Sequence, residues 1–177
     1  AMTDPLTGLF NRRHALPRLE AMLSQSLQLA RPLAVMVLDL DHFKSVNDRF
    51  GHAAGDAVLA QIAQRLAQEL GPDDLLARIG GEEFLIARPD TTLDAALALA
   101  EALRIRLFQS PITLPDQAES DLHITASIGL ALTGGDDFSA PAPPTGEILM
   151  ARADHALLSA KAQGRNRTLV APLRAVA

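Results

Sequence analysis

The sequence predicts a single α+β domain, and two observations support that fold class. Short apolar runs at residues 75–79 and 84–87 flank a Gly-Gly-Glu-Glu turn at residues 80–83, and such runs around a glycine-led turn predict a β-hairpin. In other segments, apolar residues recur at helical spacing. A chain of 177 residues is long enough to bury the core that such a domain needs.

Composition narrows the class of protein and excludes several functions. Hydrophobic residues make up 48% of the chain and the formal net charge is −5, which is typical of a soluble globular domain. The acidic balance argues against a nucleic-acid polymer as a partner, because proteins that bind one usually carry a broad basic face. The chain has no cysteine, which excludes a disulfide, a thiolate metal site and thiol catalysis.

The ends of the chain and its hydropathy predict where the domain works. No apolar run is long enough to span a bilayer and no signal peptide opens the sequence. We therefore predict a cytoplasmic domain without membrane contact of its own, although the parent protein could be anchored in a membrane. Residues 1–2 resemble a cloning remnant, and motif-like sequence begins at Asp4. We expect residues 1–177 to be one domain taken from a larger regulatory protein.

The first element is a turn that leads into a helix. Pro5 and Gly8 punctuate the turn, and Asn11 is a suitable helix cap. The helix should end at Arg31-Pro32. Its apolar stripe consists of Leu16, Leu19, Leu23, Leu27 and Ala30.

The second element is a buried strand that ends in acidic residues. Residues 33–39 form an apolar run closed by Asp39, which indicates a strand covered on both faces. A carboxylate at the end of such a strand lies where open sheets often bind ligands, and it is costly to bury without a partner. If this strand lies beside the hairpin, Asp39 and Glu82 would converge on one metal ion. Oxygen ligands of this kind suit Mg²⁺.

Residues 42–56 are predicted to be irregular and polar, with backbone N–H groups available to phosphates. Asn47 and Asp56 have the atoms to recognise a guanine edge, but both residue types are also ordinary caps and turn formers. The residues alone do not decide between these roles. An amphipathic helix follows and ends at Gly71-Pro72. Its apolar stripe consists of Leu59, Ile62, Ala63, Leu66 and Leu70.

The hairpin turn combines two glycines with two carboxylates. Gly80 and Gly81 can adopt positive φ and allow another molecule to approach the backbone. Glu82 and Glu83 should raise each other's pKa unless a divalent cation compensates their charge. Without the rest of the chain, a solvated acidic turn would explain these four residues better than a metal-binding turn.

The remaining segments are predicted to be framework. We expect a helix at residues 92–109, a half-buried strand at 122–132, loops at 111–121 and 134–146, and a short strand at 168–171. A further helix should end near Gly164, and its apolar stripe consists of Leu149, Ala153, Ala156, Leu157 and Ala160. The histidines lack metal-ligand spacing, and four are interpreted as structural: His14, His42, His123 and His155.

Five segments now form one pattern: DPLTGLFNRR at 4–13, DLDHFKSVNDRFGHAAGD at 39–56, RIGGEEF at 78–84, SIGLA at 127–131 and ADHALLSAKAQGRN at 153–166. In order and spacing they resemble the GGDEF domain, the catalytic domain of diguanylate cyclases, over nearly the whole chain. The family accepts Asp or Glu at its third signature position, so Glu82 leaves the signature intact.

The resemblance implies a fold and a reaction. The fold would be a nucleotide-cyclase, ferredoxin-like palm core, in which helices flank a central, mainly antiparallel sheet and the β-hairpin carries the signature. The reaction would condense two GTP molecules into cyclic di-GMP and two pyrophosphates. The cofactor would be Mg²⁺, or Mn²⁺ in its place. Since one site binds one GTP, the active form would be a transient, antiparallel homodimer, controlled by an upstream sensory or regulatory domain.

The resemblance also implies a role for each matching residue. Glu82 would act as the base for the attacking 3′-hydroxyl, and Glu83 would support the metal site. The metal would be bound by Asp39, the Leu40 carbonyl and Glu82. Guanine would be recognised by Asn47 and Asp56 with His52 beside them. Phe43 and Lys44 would contribute near the phosphates, and Lys161 and Arg165 would hold the β/γ end. Without the family resemblance, Lys161 and Arg165 would be explained as cations that interact favourably with the C-terminal end of a helix.

One departure from the family concerns product inhibition, which uses an Arg-x-x-Asp site ahead of the signature. Gly71 stands where the arginine is expected, and Asp74 is present. We therefore predict a degenerate inhibitory site, because a guanidinium is a major phosphate ligand. The alternatives are a catalytically weak domain that binds GTP or cyclic di-GMP as a regulatory module, a dimerisation scaffold, and a hybrid cyclase that makes mixed GMP–AMP dinucleotides.

Overall fold

The computed structural model describes residues 1–117 and 120–172, which form a helix-flanked six-stranded sheet. The strands are β1 Phe10–Asn11, β2 Leu33–Leu40, β3 Leu75–Arg78, β4 Glu83–Pro89, β5 Ala126–Leu132 and β6 Thr168–Val170. Their order in the sheet is β1-β3-β4-β2-β5-β6. The pairs among β3, β4, β2 and β5 are antiparallel, and the two outermost pairs are parallel. The predicted α+β, mainly antiparallel palm-like fold is therefore confirmed.

Helices cover both faces of this sheet. The α-helices are α1 Arg12–Leu29, α2 Phe43–Phe50, α3 His52–Glu69, α4 Leu93–Phe108 and α5 Gly146–Ala162. One hydrophobic cluster joins α2, α3 and α4 to one face, and a second cluster joins α1 and α5 to the other. Every residue of β2 is buried, because alternate side chains enter the two clusters: Met36 and Leu38 enter the first, Val35 and Val37 the second.

The predicted start of α1 and the stripe of α5 are correct. Asn11 caps α1, since its Oδ1 accepts a hydrogen bond from the backbone N–H of His14 at 3.0 Å. All the residues predicted for the stripe of α5 are buried. The short last strand is present as β6. In the part of the chain that the structure describes, no helix combines the length and apolar character needed to cross a membrane.

The prediction of an irregular segment at residues 42–56 is wrong. Two helices, α2 and α3, occupy most of it and are separated only by Gly51, whose φ is +89°. Phe43 and Val46 are buried on one face of α2, whereas most of its other residues are polar and lie on the outside. This short apolar stripe is easily hidden in a polar sequence.

The prediction for residues 122–132 is only partly correct. Strand β5 begins at Ala126, and it is buried on both faces rather than on one. The small residues between its larger ones lie under α5. A Cβ added to Gly129 would lie 1.8 Å from the Ala153 carbonyl oxygen, so glycine permits this close contact between helix and strand. The alternating pattern in β5 therefore separates large residues from small ones, not buried residues from exposed ones.

Candidate active site

Three separate segments of the chain meet around a cavity of about 250 Å³ at the end of β2. The cavity is lined by residues 39–45, Glu82, Lys161 and Arg165. These come from the end of β2 and the start of α2, from the hairpin turn, and from the end of α5 with the loop after it. All of the predicted metal-binding and phosphate-binding residues therefore line one cavity.

The antiparallel pairing of β2 with β4 brings Asp39 to the signature turn. Asp39 lies opposite Glu83 in the register, and the backbone N–H of Leu40 donates a 3.2 Å hydrogen bond to the carbonyl oxygen of Glu82. The expectation that the buried strand lies beside the hairpin is therefore correct. It places Asp39, Leu40 and Glu82 next to one another, although the hairpin is far from β2 in sequence.

The three carboxyl groups where the end of β2 meets the hairpin turn all have a raised pKa. Burial raises the pKa of Asp39, and the Lys161 ammonium, 2.5 Å from its Oδ2, only partly opposes this. Burial and then the Asp39 charge raise the pKa of Glu82. The same two causes, with Asp154, raise the pKa of Glu83. Such crowding of partly buried acidic groups favours a compensating cation.

The donor set for a cation combines side chains with backbone. Within residues 1–117 and 120–172, no three His, Asp or Glu side chains are grouped as a metal site. Asp39 and Glu82 would have to be completed by the Leu40 carbonyl and by ligands from outside the chain. Two carboxylates with a carbonyl fit the all-oxygen, incompletely filled coordination that Mg²⁺ adopts with phosphate substrates.

The conformation of the hairpin turn differs from the prediction. The hairpin is present, and the Ile79 N–H donates to the Glu83 carbonyl at 3.0 Å. However, neither Gly80 nor Gly81 is among the glycines with positive φ. An added Cβ at Gly80 would lie 2.9 Å from a carboxylate oxygen of Glu83, which a rotation of that side chain relieves, and one at Gly81 would have nothing within 4 Å.

Arg78 organises this turn, and sequence reasoning missed it. Its guanidinium donates to the carbonyl oxygens of Gly80 (3.2 Å) and Gly81 (2.8 Å). It also donates to both carboxylate oxygens of Asp4 at 3.1 Å. Asp4 in turn accepts hydrogen bonds from Thr7. The N-terminal turn and the signature turn are therefore joined through one arginine.

The expected guanine-recognition residues lie on two consecutive helices instead of a loop. The Asn47 side chain of α2 packs on Gly55 of α3, where a Cβ would lie 1.9 Å from its Oδ1. Asp56 is the next residue and is exposed, as is His52 at the start of α3. The α2–α3 pair therefore brings the expected guanine ligands to neighbouring positions.

The expected phosphate ligands have three different environments. Lys161 lies in the last turn of α5 and contacts Asp39, whereas Arg165 lies beyond the helix in an exposed, left-handed conformation. The helix ends at Ala162, two residues before Gly164, so Lys161 and Arg165 do not extend from one helix face. Phe43 is buried and Lys44 is exposed at the start of α2.

The carboxylate of Asp74 is hydrogen-bonded to other residues of this chain. Arg88 donates to its two carboxylate oxygens at 2.9 and 2.7 Å, and the backbone N–H of Gly71 donates to Oδ2 at 2.7 Å. Burial opposes ionisation, but these hydrogen bonds outweigh it and lower the pKa of Asp74. The sequence contained no sign that Arg88, on β4, would be the partner of Asp74.

Comparison with known proteins assigns the family. The family model described as "Diguanylate cyclase, GGDEF domain" matches residues 1–167. The response regulator PleD of Caulobacter vibrioides is 42% identical over 166 residues, which cover 94% of this chain and 35% of PleD. The diguanylate cyclase DgcP of Pseudomonas aeruginosa is 42% identical over 97% of this chain and 24% of its own length. This chain thus spans about a third or less of these relatives.

A solved structure agrees with the sequence comparisons. The GGDEF domain of DgcB from Caulobacter crescentus, crystallised in complex with c-di-GMP, superposes with a TM-score of 0.88 at 31% identity. The match covers 96% of this chain and 93% of that domain. Fold, signature turn and sequence similarity agree, and the chain belongs to the GGDEF family of diguanylate cyclase domains.

Proposed function

We propose that this chain is a Mg²⁺-dependent diguanylate cyclase that condenses two GTP molecules into cyclic di-GMP and two pyrophosphates. The observation that carries the proposal is the β2–β4 pairing, which brings Asp39, Leu40 and Glu82 to one end of a cavity that Lys161 and Arg165 also line. GTP as substrate is supported by the family and by the placement of Asn47 close to Asp56.

The metal would be held by the carboxylates of Asp39 and Glu82 and by the Leu40 carbonyl. When bound, Mg²⁺ would lower the pKa of the attacking hydroxyl and neutralise charge on the leaving pyrophosphate. Glu83, opposite Asp39 in the register, would add negative charge to this edge. These residues supply oxygen ligands, which the acidic crowding at this edge favours.

Glu82 would also accept the proton in each condensation. The 3′-hydroxyl oxygen of one GTP forms a bond to the α-phosphorus of the other, and the bond from that phosphorus to the β-phosphate oxygen breaks. The hydroxyl proton passes to Glu82, and pyrophosphate carries away the bonding electron pair. In the protein without a metal ion, burial and then the Asp39 charge raise the pKa of this carboxyl group.

The other site residues would bind and orient the nucleotide. Asn47 and Asp56 would pair with the guanine edge, with His52 beside them. Lys161 and Arg165 would hold the β- and γ-phosphates, and the segment at Phe43 and Lys44 would contact the phosphates from the start of α2. Phosphoryl transfer depends mainly on such positioning and charge neutralisation.

One site binds one GTP, so two copies of the domain must face each other in an antiparallel homodimer to join both 3′-hydroxyls to both α-phosphates. We expect this dimer to be transient in the isolated domain. An upstream sensory or regulatory domain of the parent protein would control it by setting the local concentration of domain pairs.

The product would inhibit this protein weakly. Gly71 offers no guanidinium at the expected inhibitory position, and Asp74 is already bound by Arg88. A cyclic dinucleotide would have to displace an ion pair whose Asp74 side chain is only 5% exposed.

Product analysis tests the proposed reaction. The protein at high concentration is incubated with Mg²⁺ and GTP, ATP or both, and the products are identified by mass spectrometry. We expect cyclic di-GMP from GTP alone and no product from Glu82→Gln. Mixed GMP–AMP dinucleotide would indicate a hybrid cyclase, and binding without product would indicate a regulatory module. Equal product from Glu82→Gln would remove the catalytic assignment.

A further inference from the structure

Asp41 is a buried carboxylate with no role in the scheme above. It is 5% exposed. The Ser127 hydroxyl donates to Oδ1 and the Thr125 hydroxyl donates to Oδ2, both at 2.7 Å. The third donor is the backbone N–H of Asn166, 3.0 Å from Oδ2. Asp41 therefore joins the end of β2 both to the β5 region and to the loop that follows α5.

Asn166 is held from a second side by α4. Its side-chain Oδ1 accepts a 2.8 Å hydrogen bond from Arg104. Arg104 is itself held by Glu101, whose carboxylate accepts from Nε at 2.6 Å. One loop residue is thus bound to the sheet through its backbone and to a helix through its side chain.

The backbone of this loop requires such restraints. Arg165 has a φ of +64° and Asn166 a φ of +48°, both in the left-handed region. Residues with side chains seldom adopt this region, and they persist there when surrounding contacts enforce it. The contacts of Asn166 with Asp41 and Arg104 are of this kind. Arg165, the residue directly before Asn166, lines the cavity.

We propose that Asp41 and Asn166 are positioning residues for recognition of the triphosphate. Asp41 holds Asn166 and thereby keeps Arg165 where the β- and γ-phosphates of GTP bind. This inference rests on the proposed function, which assigns Arg165 to those phosphates. Neither positioning residue needs to touch the substrate.

Comparing a triphosphate with a monophosphate separates positioning from a general loss of structure. The probes are 3′-deoxy-GTP, which lacks the attacking hydroxyl, and 3′-deoxy-GMP, which also lacks the β- and γ-phosphates. Affinities are measured by calorimetry with Mg²⁺. We expect Asp41→Asn to weaken binding of the triphosphate about tenfold and binding of the monophosphate less than about twofold. The reason is that the donors around Asp41 use both of its carboxylate oxygens, whereas an amide offers only one acceptor oxygen. With GTP as substrate, KM should rise more than kcat falls.

Two further variants sharpen the test. Asn166→Gly retains the left-handed backbone without strain but removes the contact with Arg104, so it should give the same selective loss even if Asp41→Asn fails to fold. Ser127→Ala is the matched control. It removes the donor to Oδ1 of Asp41 but leaves the bond to Asn166, so the ratio of the two affinities should stay unchanged.

Arg165→Ala distinguishes a failure of this inference from a failure of the proposed function. If Arg165→Ala selectively weakens binding of the triphosphate while Asp41→Asn and Asn166→Gly do not, the positioning role is wrong. The assignment of Arg165 to the phosphates then stands. If Arg165→Ala leaves the affinity ratio unchanged, both are overturned. Hydrogen exchange over residues 163–168 is an independent readout. It should accelerate in Asp41→Asn, and unchanged exchange would overturn the anchoring of the loop.

Discussion

The ammonium of Lys161 lies 2.5 Å from Oδ2 of Asp39, so an expected phosphate ligand is paired with an expected metal ligand. The Asp39 side chain is 8% exposed and that of Lys161 is 30% exposed. Such an ion pair gives the carboxylate a partner at the end of a buried strand. We expect metal and nucleotide binding to transfer Lys161 from Asp39 to a phosphate.

A first prediction follows from this ion pair. Lys161→Met should bind Mn²⁺ about tenfold more tightly without nucleotide, because a competing cation next to Asp39 is removed, and its KM for GTP should rise. Calorimetry or electron paramagnetic resonance measures the Mn²⁺ affinity. Lys44→Met, which changes another lysine of the same cavity, serves as the control. Mn²⁺ binding that is unchanged or weaker in Lys161→Met would contradict the exchange of partners.

A second prediction concerns pH and stability. Burial and the Asp39 charge raise the pKa of Glu82 above its ordinary value of 4.5, so the folded protein binds this proton more tightly than the unfolded chain. Ionised Glu82 therefore destabilises the folded protein. This destabilisation is absent below pH 4.5 and grows as the pH rises through the pKa that Glu82 has in the folded protein. Glu82→Gln should therefore raise the Tm at pH 7 and lose this advantage toward pH 4.

The expected gain is small, because Glu82 is only partly buried and solvent screens its charge. Scanning calorimetry of the nucleotide-free protein between pH 4 and pH 8 measures it. Asp116→Asn alters an exposed carboxylate that does not line the cavity and is the control. A Tm difference that grew toward acid pH would have the wrong sign.

A third prediction concerns Arg78, which holds the carbonyl oxygens of the signature turn and the carboxylate of Asp4. Arg78→Lys preserves the charge but not the planar fork that reaches both turns at once. We expect kcat to fall about tenfold, because misplacing Glu82 by a small distance weakens a reaction that depends on positioning. Steady-state kinetics measures the change, with Arg49→Lys on the exposed face of α2 as the control. Retention of full kcat would show that the turn holds its shape without Arg78.

A fourth prediction concerns product inhibition. Wild-type protein should bind cyclic di-GMP weakly at the Gly71–Asp74 turn, and Gly71→Arg should strengthen that binding because it supplies the missing guanidinium. Gly71 does not have positive φ, and the only contact of an added Cβ is with Asp74 at an ordinary 3.7 Å, so the substitution is sterically allowed. Calorimetric titration measures the affinity. Micromolar binding by the wild type that Asp74→Ala abolishes would disprove the degenerate site.

Local patterns predicted much of this fold. The hairpin, the buried strand ending at Asp39, the cap at Asn11 and the stripe of α5 were all recognisable, because turn chemistry and hydrophobic periodicity act between residues that are close in sequence. The same patterns failed where large and small residues alternate in β5 and where α2 has a short apolar stripe among polar residues. The motifs also sufficed to identify the family.

Only the tertiary structure decided which charged groups meet. Lys161 and Asp39 are 122 residues apart, Arg78 and Asp4 are 74 apart, and Arg88 on β4 is 14 residues from Asp74 in the turn before β3. Each of these residues had several plausible partners, and sequence spacing carries no information about long-range pairs. The register of β2 against β4 and the packing of α5 across the sheet select among them, because the burial of the hydrophobic core determines where each backbone runs before any ion pair forms.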